Sequence, residues 1–253
     1  MKLFDKLFKK EPTIRFKSYI GNYSVNNPVV ETKRIKANWM KDQKPDTRFT
    51  KCPGMLDYHT SGYIITAHTD IHIKANKAGI VIKPDMLTFV DHQFINSLSP
   101  APFEYDLVKN MTKISPDVKT GAYKIPLPWS VFAKKGYSAY VLPALMHADY
   151  LDKIFVYPGV VDYDNFHTVN FVFSPIKECE FTIPAGAPLL QILPFKREKI
   201  TAECGKATEV EKDEHLFGMG TKAVKNYYRR FLSQRKSFKM KCPYQHPQYK
   251  DKD

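Results

Sequence analysis

Cysteine is scarce in this sequence, and its spacing excludes two common classes of small protein. The four cysteines, Cys52, Cys179, Cys204 and Cys242, lie far apart and form no C-x-x-C pair. Zinc ribbons need closely spaced pairs, and disulfide-stapled secreted domains need many cysteines in a short chain. We therefore expect neither a zinc ribbon nor a disulfide framework, and we expect a reducing, cytoplasmic setting.

Long apolar runs are also missing. No stretch of the 253 residues approaches the roughly 18 apolar residues of a membrane-spanning helix, and the start lacks the apolar core and cleavage site of a signal peptide. The sequence has 18 prolines against only 11 glycines, and frequent proline disfavours long helices and favours rigid loops. These features predict a globular chain without membrane spans.

Acidic residues are under-represented, with 26 Asp and Glu against 39 Lys and Arg, so the net charge is +13. A field of this sign attracts phosphates, nucleic acids and anionic surfaces. Near the C-terminus, basic residues interleave with Tyr and Phe, which offers phosphate contacts and stacking rings together. The candidate polyanion-binding residues are Arg229, Arg230, Arg235 and Lys236. A basic tail that lies over an acidic neighbouring subunit fits the same composition.

The sequence does contain a succession of short β patterns. Three apolar runs, Phe155–Val161, Val169–Phe173 and Leu189–Leu193, are separated by turn-prone residues, which is typical of a β-meander. Further strands are predicted upstream at Gly62–Ala67, Ile71–Lys74, Ile80–Lys83, Tyr123–Ala133 and Gly136–Pro143. We predict a mainly β protein with a jelly-roll or distorted β-barrel core over residues 51–197. An N-terminal arm (1–50) and a charged linker, helix and basic tail (198–253) flank this core.

Two turns in this region carry a motif-like spacing. Residues 159–162 read Gly-Val-Val-Asp and residues 186–192 read Gly-Ala-Pro-Leu-Leu-Gln-Ile, with a strand pair between them. In this order they resemble motifs of the trimeric dUTPase and dCTP deaminase family. The resemblance implies a nucleotide at a subunit interface beside Mg²⁺, with Asp162 orienting or deprotonating the attacking water. Phe166 would pack on the sugar, and Gln191 would mark the later motif.

The residues themselves fit part of that chemistry. A carboxylate held on a tight turn can act as a general base, and a ring on the same turn can stack on a sugar. The phosphate-binding arginine-serine-serine motif of that family, however, has no counterpart before Gly159, where residues 141–150 read VLPALMHADY.

A second resemblance covers more of the chain, from about Trp39 to Arg197. Its elements are Trp39, Lys51-Cys52-Pro53, Gly136-Tyr137-Ser138, Pro158 to Asp162 and Ile183 to Pro188. In this order they resemble a functionally uncharacterised family of bacteria and tailed phages. The resemblance implies a phage-type source and a location in the cytoplasm of a bacterial host or in the virion, and it implies no activity.

Two groupings of histidine and aspartate suggest metal binding. His147-Ala-Asp149 has the H-x-D spacing of iron- and 2-oxoglutarate-dependent jelly-roll oxygenases, in which His215 would be the third ligand. His68, Asp70 and His72 alternate, so they would share one face of a regular strand and could hold zinc or iron.

Three functions therefore stay open. The long arms favour a phage-type β-domain protein that acts through interaction or assembly, without established catalysis, as a homo-oligomer or part of a larger assembly. The alternatives are a dUTPase-like nucleotide-binding or hydrolysing protein with Mg²⁺ and an Fe(II)/2-oxoglutarate oxygenase.

Overall fold

The computed structural model describes residues 12–18, 29–35, 53–83, 101–103, 118 and 121–212. Two compact units divide these residues. The first holds the described residues of 12–35 and 61–197, and the second holds helix α1 (Pro53–Thr60) and residues 198–212. The predicted domain boundaries at residues 51 and 197 stay a prediction.

The described residues of the first unit are mainly strands, which confirms the predicted class. In chain order these are β1 (Ile14–Ser18), β2 (Val30–Glu31), β3 (Tyr63–Thr66), β4 (Ile71–Asn76), β5 (Gly79–Lys83), β6 (Ala101–Phe103), β7 (Ala122–Ala133), β8 (Tyr137–Pro143), β9 (Ile154–Val156), β10 (Gly159–Val161), β11 (Thr168–Pro175), β12 (Cys179–Ile183) and β13 (Pro188–Lys196). A short 3₁₀ turn covers Thr32–Arg34. In the second unit, a helical turn at 209–212 follows an irregular stretch.

The strands form three antiparallel sheets. The first has the order β1-β7-β11-β9, with β6 also paired to β7; the second has the order β10-β8-β13-β3-β2; the third has the order β12-β4-β5. None of these sheets closes into a barrel within the described residues.

The predicted β-meander between Phe155 and Arg197 is wrong. Strand β11 pairs with β7 and β9, while β13 pairs with β8 and β3, and β9 and β10 lie in different sheets. Apolar periodicity indicates that a segment is a strand and which face it buries, but it does not select the partner strand. The partners here are supplied by strands far away in the sequence.

One hydrophobic core lies between the three sheets. Ile73 from the third sheet, Phe171 from the first and Ile192 from the second are fully buried in it. Strand β4 shows the cause, since every second residue from Ile71 is buried, as a pleated strand with one face on a core requires. Trp129 on β7 is 4% exposed in the same cluster.

The second sheet has two faces of different character. Its inner face supplies core residues such as Ala139 and Val141 on β8 and Ile192 on β13. Because side chains alternate along a strand, Ser138 and Tyr140 point away from this core. We call that opposite side the outer face, and it holds the candidate site.

Candidate functional site on the outer face of the second sheet

Asp162 lies where β10 ends and a tight turn begins. Its carbonyl oxygen accepts the backbone N–H groups of Asn165 and Phe166, both at 2.9 Å. The structure therefore brings two predicted site residues, Asp162 and Phe166, onto one turn. The Phe166 side chain is 54% exposed, so its ring is accessible from solvent.

The Asp162 carboxylate is already engaged by two partners. Ser138 donates its hydroxyl to Asp162 Oδ1 at 2.5 Å, and Arg197 Nη1 lies 2.9 Å from the same oxygen. The Ser138 hydrogen bond, and secondly the Arg197 guanidinium, lower the pKa of Asp162 below its usual range. A general base works best with a pKa near the operating pH. This environment instead favours the ionised form of the carboxylate and holds it in place.

Arg197 connects a second carboxylate to the same group. It donates to both oxygens of Asp164, whose side chain is only 6% exposed, and Asp164 Oδ2 also accepts the backbone N–H of Gly136 at 2.9 Å. Arg197 N donates to the Gly136 carbonyl at 2.8 Å. We call Ser138, Asp162, Asp164 and Arg197 the Arg197 cluster. It ties the end of β13 to the turn after β10 and to the start of β8.

Sequence reasoning missed three members of this cluster. Ser138, Asp164 and Arg197 come together because β8, β10 and β13 are neighbours in one sheet, and a single sequence does not state strand order. The only signal was the pair of aspartates flanking a tyrosine, which turn composition explains equally well.

Gln191 lies elsewhere in the same sheet. It is fully buried on β13 opposite Leu142, and its Nε2 donates to the Ser61 carbonyl at 2.8 Å. Leu142 is four residues along β8 from Ser138, which is about 13 Å at the usual rise of a strand. The structure thus does not bring Gln191 to Asp162, and its part in nucleotide binding stays a prediction.

His147 and Asp149 lie in a turn that follows β8. The His147 backbone N–H donates to the Ala144 carbonyl at 2.8 Å, and the side chain is 7% exposed, whereas Asp149 is exposed. No three His, Cys, Asp or Glu side chains in the described part of the chain come close enough to hold a metal ion. His215 lies outside the described residues, so the iron site stays a prediction.

The predicted shared face of His68, Asp70 and His72 is wrong, because β4 begins only at Ile71. Asp70 Oδ1 accepts the backbone N–H of Ala185 at 2.7 Å, and His72 contacts a threonine hydroxyl on β12. Burial lowers the pKa of His68 to about 4. These different environments explain why the three side chains form no common ligand set.

Beside the Arg197 cluster the outer face is apolar. Val160 on β10 is 56% exposed and Tyr140 on β8 is 47% exposed. The Tyr140 ring stacks on Phe195 of β13, with centroids 4.7 Å apart. We call Tyr140, Val160 and Phe195 the exposed patch. Aromatic and aliphatic side chains grouped in this way are typical of the centre of a protein–protein contact.

The predicted polyanion-binding residues, Arg229, Arg230, Arg235 and Lys236, lie outside the described residues, and their function stays a prediction. None of the described helices has the length and apolar character that a membrane crossing demands.

No protein-family model and no curated protein matches the sequence. Among solved structures, native EIAV dUTPase aligns with 6% sequence identity and a TM-score of 0.35, over 78% of this chain and 98% of that chain. A likeness of this strength carries no argument about fold or activity.

Proposed function

We propose that the protein is a non-catalytic component of a protein assembly built from copies of this chain. The exposed patch carries this proposal, because its apolar side chains lie beside charged groups that already satisfy one another. Apolar surface gains free energy when a partner removes it from water, at about 25 cal/mol per Å². Charges paired within one copy need no partner.

The state of Asp162 argues against hydrolysis at this turn. Its carboxylate is bound by Ser138 and Arg197, and its pKa is lowered rather than raised toward neutrality. A lowered pKa makes this carboxylate a weaker base toward water. The arginine that approaches Asp162 also bonds Asp164, which favours a structural function for the whole cluster.

The distribution of charge supports contact between copies. Residues 51–197 contain 14 Lys and Arg against 13 Asp and Glu, whereas the full chain has 39 against 26. Most of the excess positive charge therefore lies in residues 1–50 and 198–253. A nearly neutral β region does not repel a second copy of itself.

From the sequence alone we further propose a jelly-roll arrangement of a core at residues 51–197, a phage-type source, and a location in the host cytoplasm or the virion. Attachment of nucleic acid or another polyanion through the basic C-terminal residues is a further part of the proposal.

A thermal-shift comparison tests the absence of catalysis. A ligand that binds only the folded state raises the melting temperature by mass action. We expect no rise with dUTP or dCTP and Mg²⁺, or with Fe(II) and 2-oxoglutarate. A rise with a nucleotide in the wild type that is lost in Asp162→Asn would contradict the proposal, as would a metal-dependent rise lost in His147→Ala.

A further inference from the structure

We infer that two copies pair through the outer edge of β10, antiparallel and around a two-fold axis at Val160, so that the second sheet continues from one copy into the next. This inference rests on the proposed function and names the contact through which the assembly forms.

Strand β10 is at the end of its sheet. Its hydrogen-bonded neighbour is β8, and no other described strand pairs with it. Pro158, Gly159 and Val160 are all exposed. The outer edge of such a strand presents backbone N–H and C=O groups that can pair with another strand.

Four of the other described edge strands differ from β10 in a specific way. Proteins protect edge strands with charged side chains, which make pairing with another chain unfavourable. Arg15 on β1, Glu31 on β2, Lys83 on β5 and Glu180 on β12 are such residues. The Gly-Val-Val sequence of β10 has no charge, so this edge lacks the same protection. Strand β9 (Ile-Phe-Val) is also an uncharged edge, but its first and last residues are buried, whereas Gly159 and Val160 of β10 are exposed.

Antiparallel pairing centred on Val160 is self-complementary. It places the Val160 side chains of the two copies opposite each other, with Cβ atoms about 4.5–5.5 Å apart. Tyr140 lies beside Val160 in the adjacent strand, so the exposed patches of both copies join into one apolar surface. Two-fold contacts of one patch with itself are the commonest form of homo-oligomer.

Electrostatics permits this contact. The Arg197 cluster contains two carboxylates and one guanidinium, so it carries a net charge of −1. Asp162 is two residues from Val160, so across the two-fold axis the Asp162 residues of the two copies are four positions apart along the strands. This separates the two clusters by about 13 Å, beyond the Debye length of about 8 Å at physiological salt.

Disulfide trapping tests the geometry. In a full chain whose four cysteines are replaced by serine, Val160→Cys places two thiols opposite each other across the two-fold axis. We expect oxidation to give a covalent dimer roughly 100-fold faster than for a randomly colliding thiol, because pairing raises the effective thiol concentration to the millimolar range. The matched control is Val81→Cys, since Val81 is 47% exposed on the edge strand β5.

The mass in solution is measured as well, so that the claim of self-association can be tested separately from the claim that β10 forms the contact. An oligomeric mass with fast trapping of Val160→Cys supports both. An oligomeric mass with equally slow trapping of both variants overturns the β10 contact and leaves the assembly. A mass of 29.3 kDa, that of one chain, at every concentration overturns both. Melting curves of the two variants that match their cysteine-free parent establish that each is folded.

Discussion

Arg197 determines the chemistry of the candidate site at the scale of single residues. It contacts Asp162 and Asp164 together, and it does so only because the end of β13 reaches the turn after β10. Sequence analysis identified Asp162 as a candidate base from local spacing. The guanidinium that sets its environment is 35 residues away in the chain, and for that reason the pattern of residues 159–162 could not predict it.

The cluster should make stability depend on acid pH. The Arg197 guanidinium first, and the Gly136 N–H second, lower the pKa of Asp164 in the folded protein. A lowered pKa in the folded state stabilises the folded protein at pH values above the unfolded-state pKa of about 3.9. This stabilisation is lost as the pH falls through the folded-state pKa. The difference in free energy of unfolding between wild type and Asp164→Asn should be constant near neutrality and shrink below about pH 4.

Urea titrations at a series of pH values measure that difference. The control is Glu203→Gln, at an exposed acidic side chain in the second unit. Its free energy of unfolding should depend on pH as that of the wild type does. A difference for Asp164→Asn that does not change with acid pH would show that the ion pairs contribute nothing.

Gly62 is a second single-residue constraint. Its φ is +74°, and an added Cβ would lie 2.2 Å from the Ile192 carbonyl oxygen. Gly186 has a similar φ of +83° with nothing within 4 Å. Both alanine variants should lose about 1–2 kcal/mol from the left-handed backbone, and Gly62→Ala should lose a further 1–3 kcal/mol, roughly, from the clash. Equal losses in denaturant unfolding would contradict this account.

At the scale of elements, strand positions were predictable and strand partners were not. The predicted strand Tyr123–Ala133 differs from β7 by one residue, and the predicted Gly136–Pro143 differs from β8 by one. The alternation of apolar and polar residues and the enrichment in β-branched residues are local signals, so a single sequence is enough to detect them. The pairing of β11 with β7, which crosses about 40 residues of chain, depends on the shape of the whole core.

The β7–β11 pair should carry much of the stability. Phe171 on β11 is fully buried opposite Ile125, whereas Phe166 on the preceding turn is 54% exposed. Phe171→Ala should cost about 3–5 kcal/mol because it leaves a cavity. Phe166→Ala should cost about 0.5 kcal/mol or less. Unfolding in denaturant compares the two, and a large loss for Phe166→Ala would show that its ring packs on something essential.

At the scale of the whole molecule, the sequence predicted a mainly β protein but left its surface undetermined. The net charge of +13 pointed to polyanions, yet the described outer face combines an apolar patch with a locally negative cluster. The net charge of the whole chain hides a nearly neutral β region between basic ends, which appears only when charges are counted by region. The exposure of Val160 and Tyr140 depends on the sheet order β10-β8-β13, which no local pattern encodes.

Sedimentation equilibrium of the full chain tests the central claim, self-association through the exposed patch, most directly. Wild type should show a mass that rises with concentration above 29.3 kDa, and Val160→Lys should remain a monomer because it places two positive charges against each other at the two-fold axis. Val81→Lys, on the edge strand β5, should associate as the wild type does. A monomeric wild type, or a Val160→Lys variant that associates as strongly as the wild type, would contradict the claim.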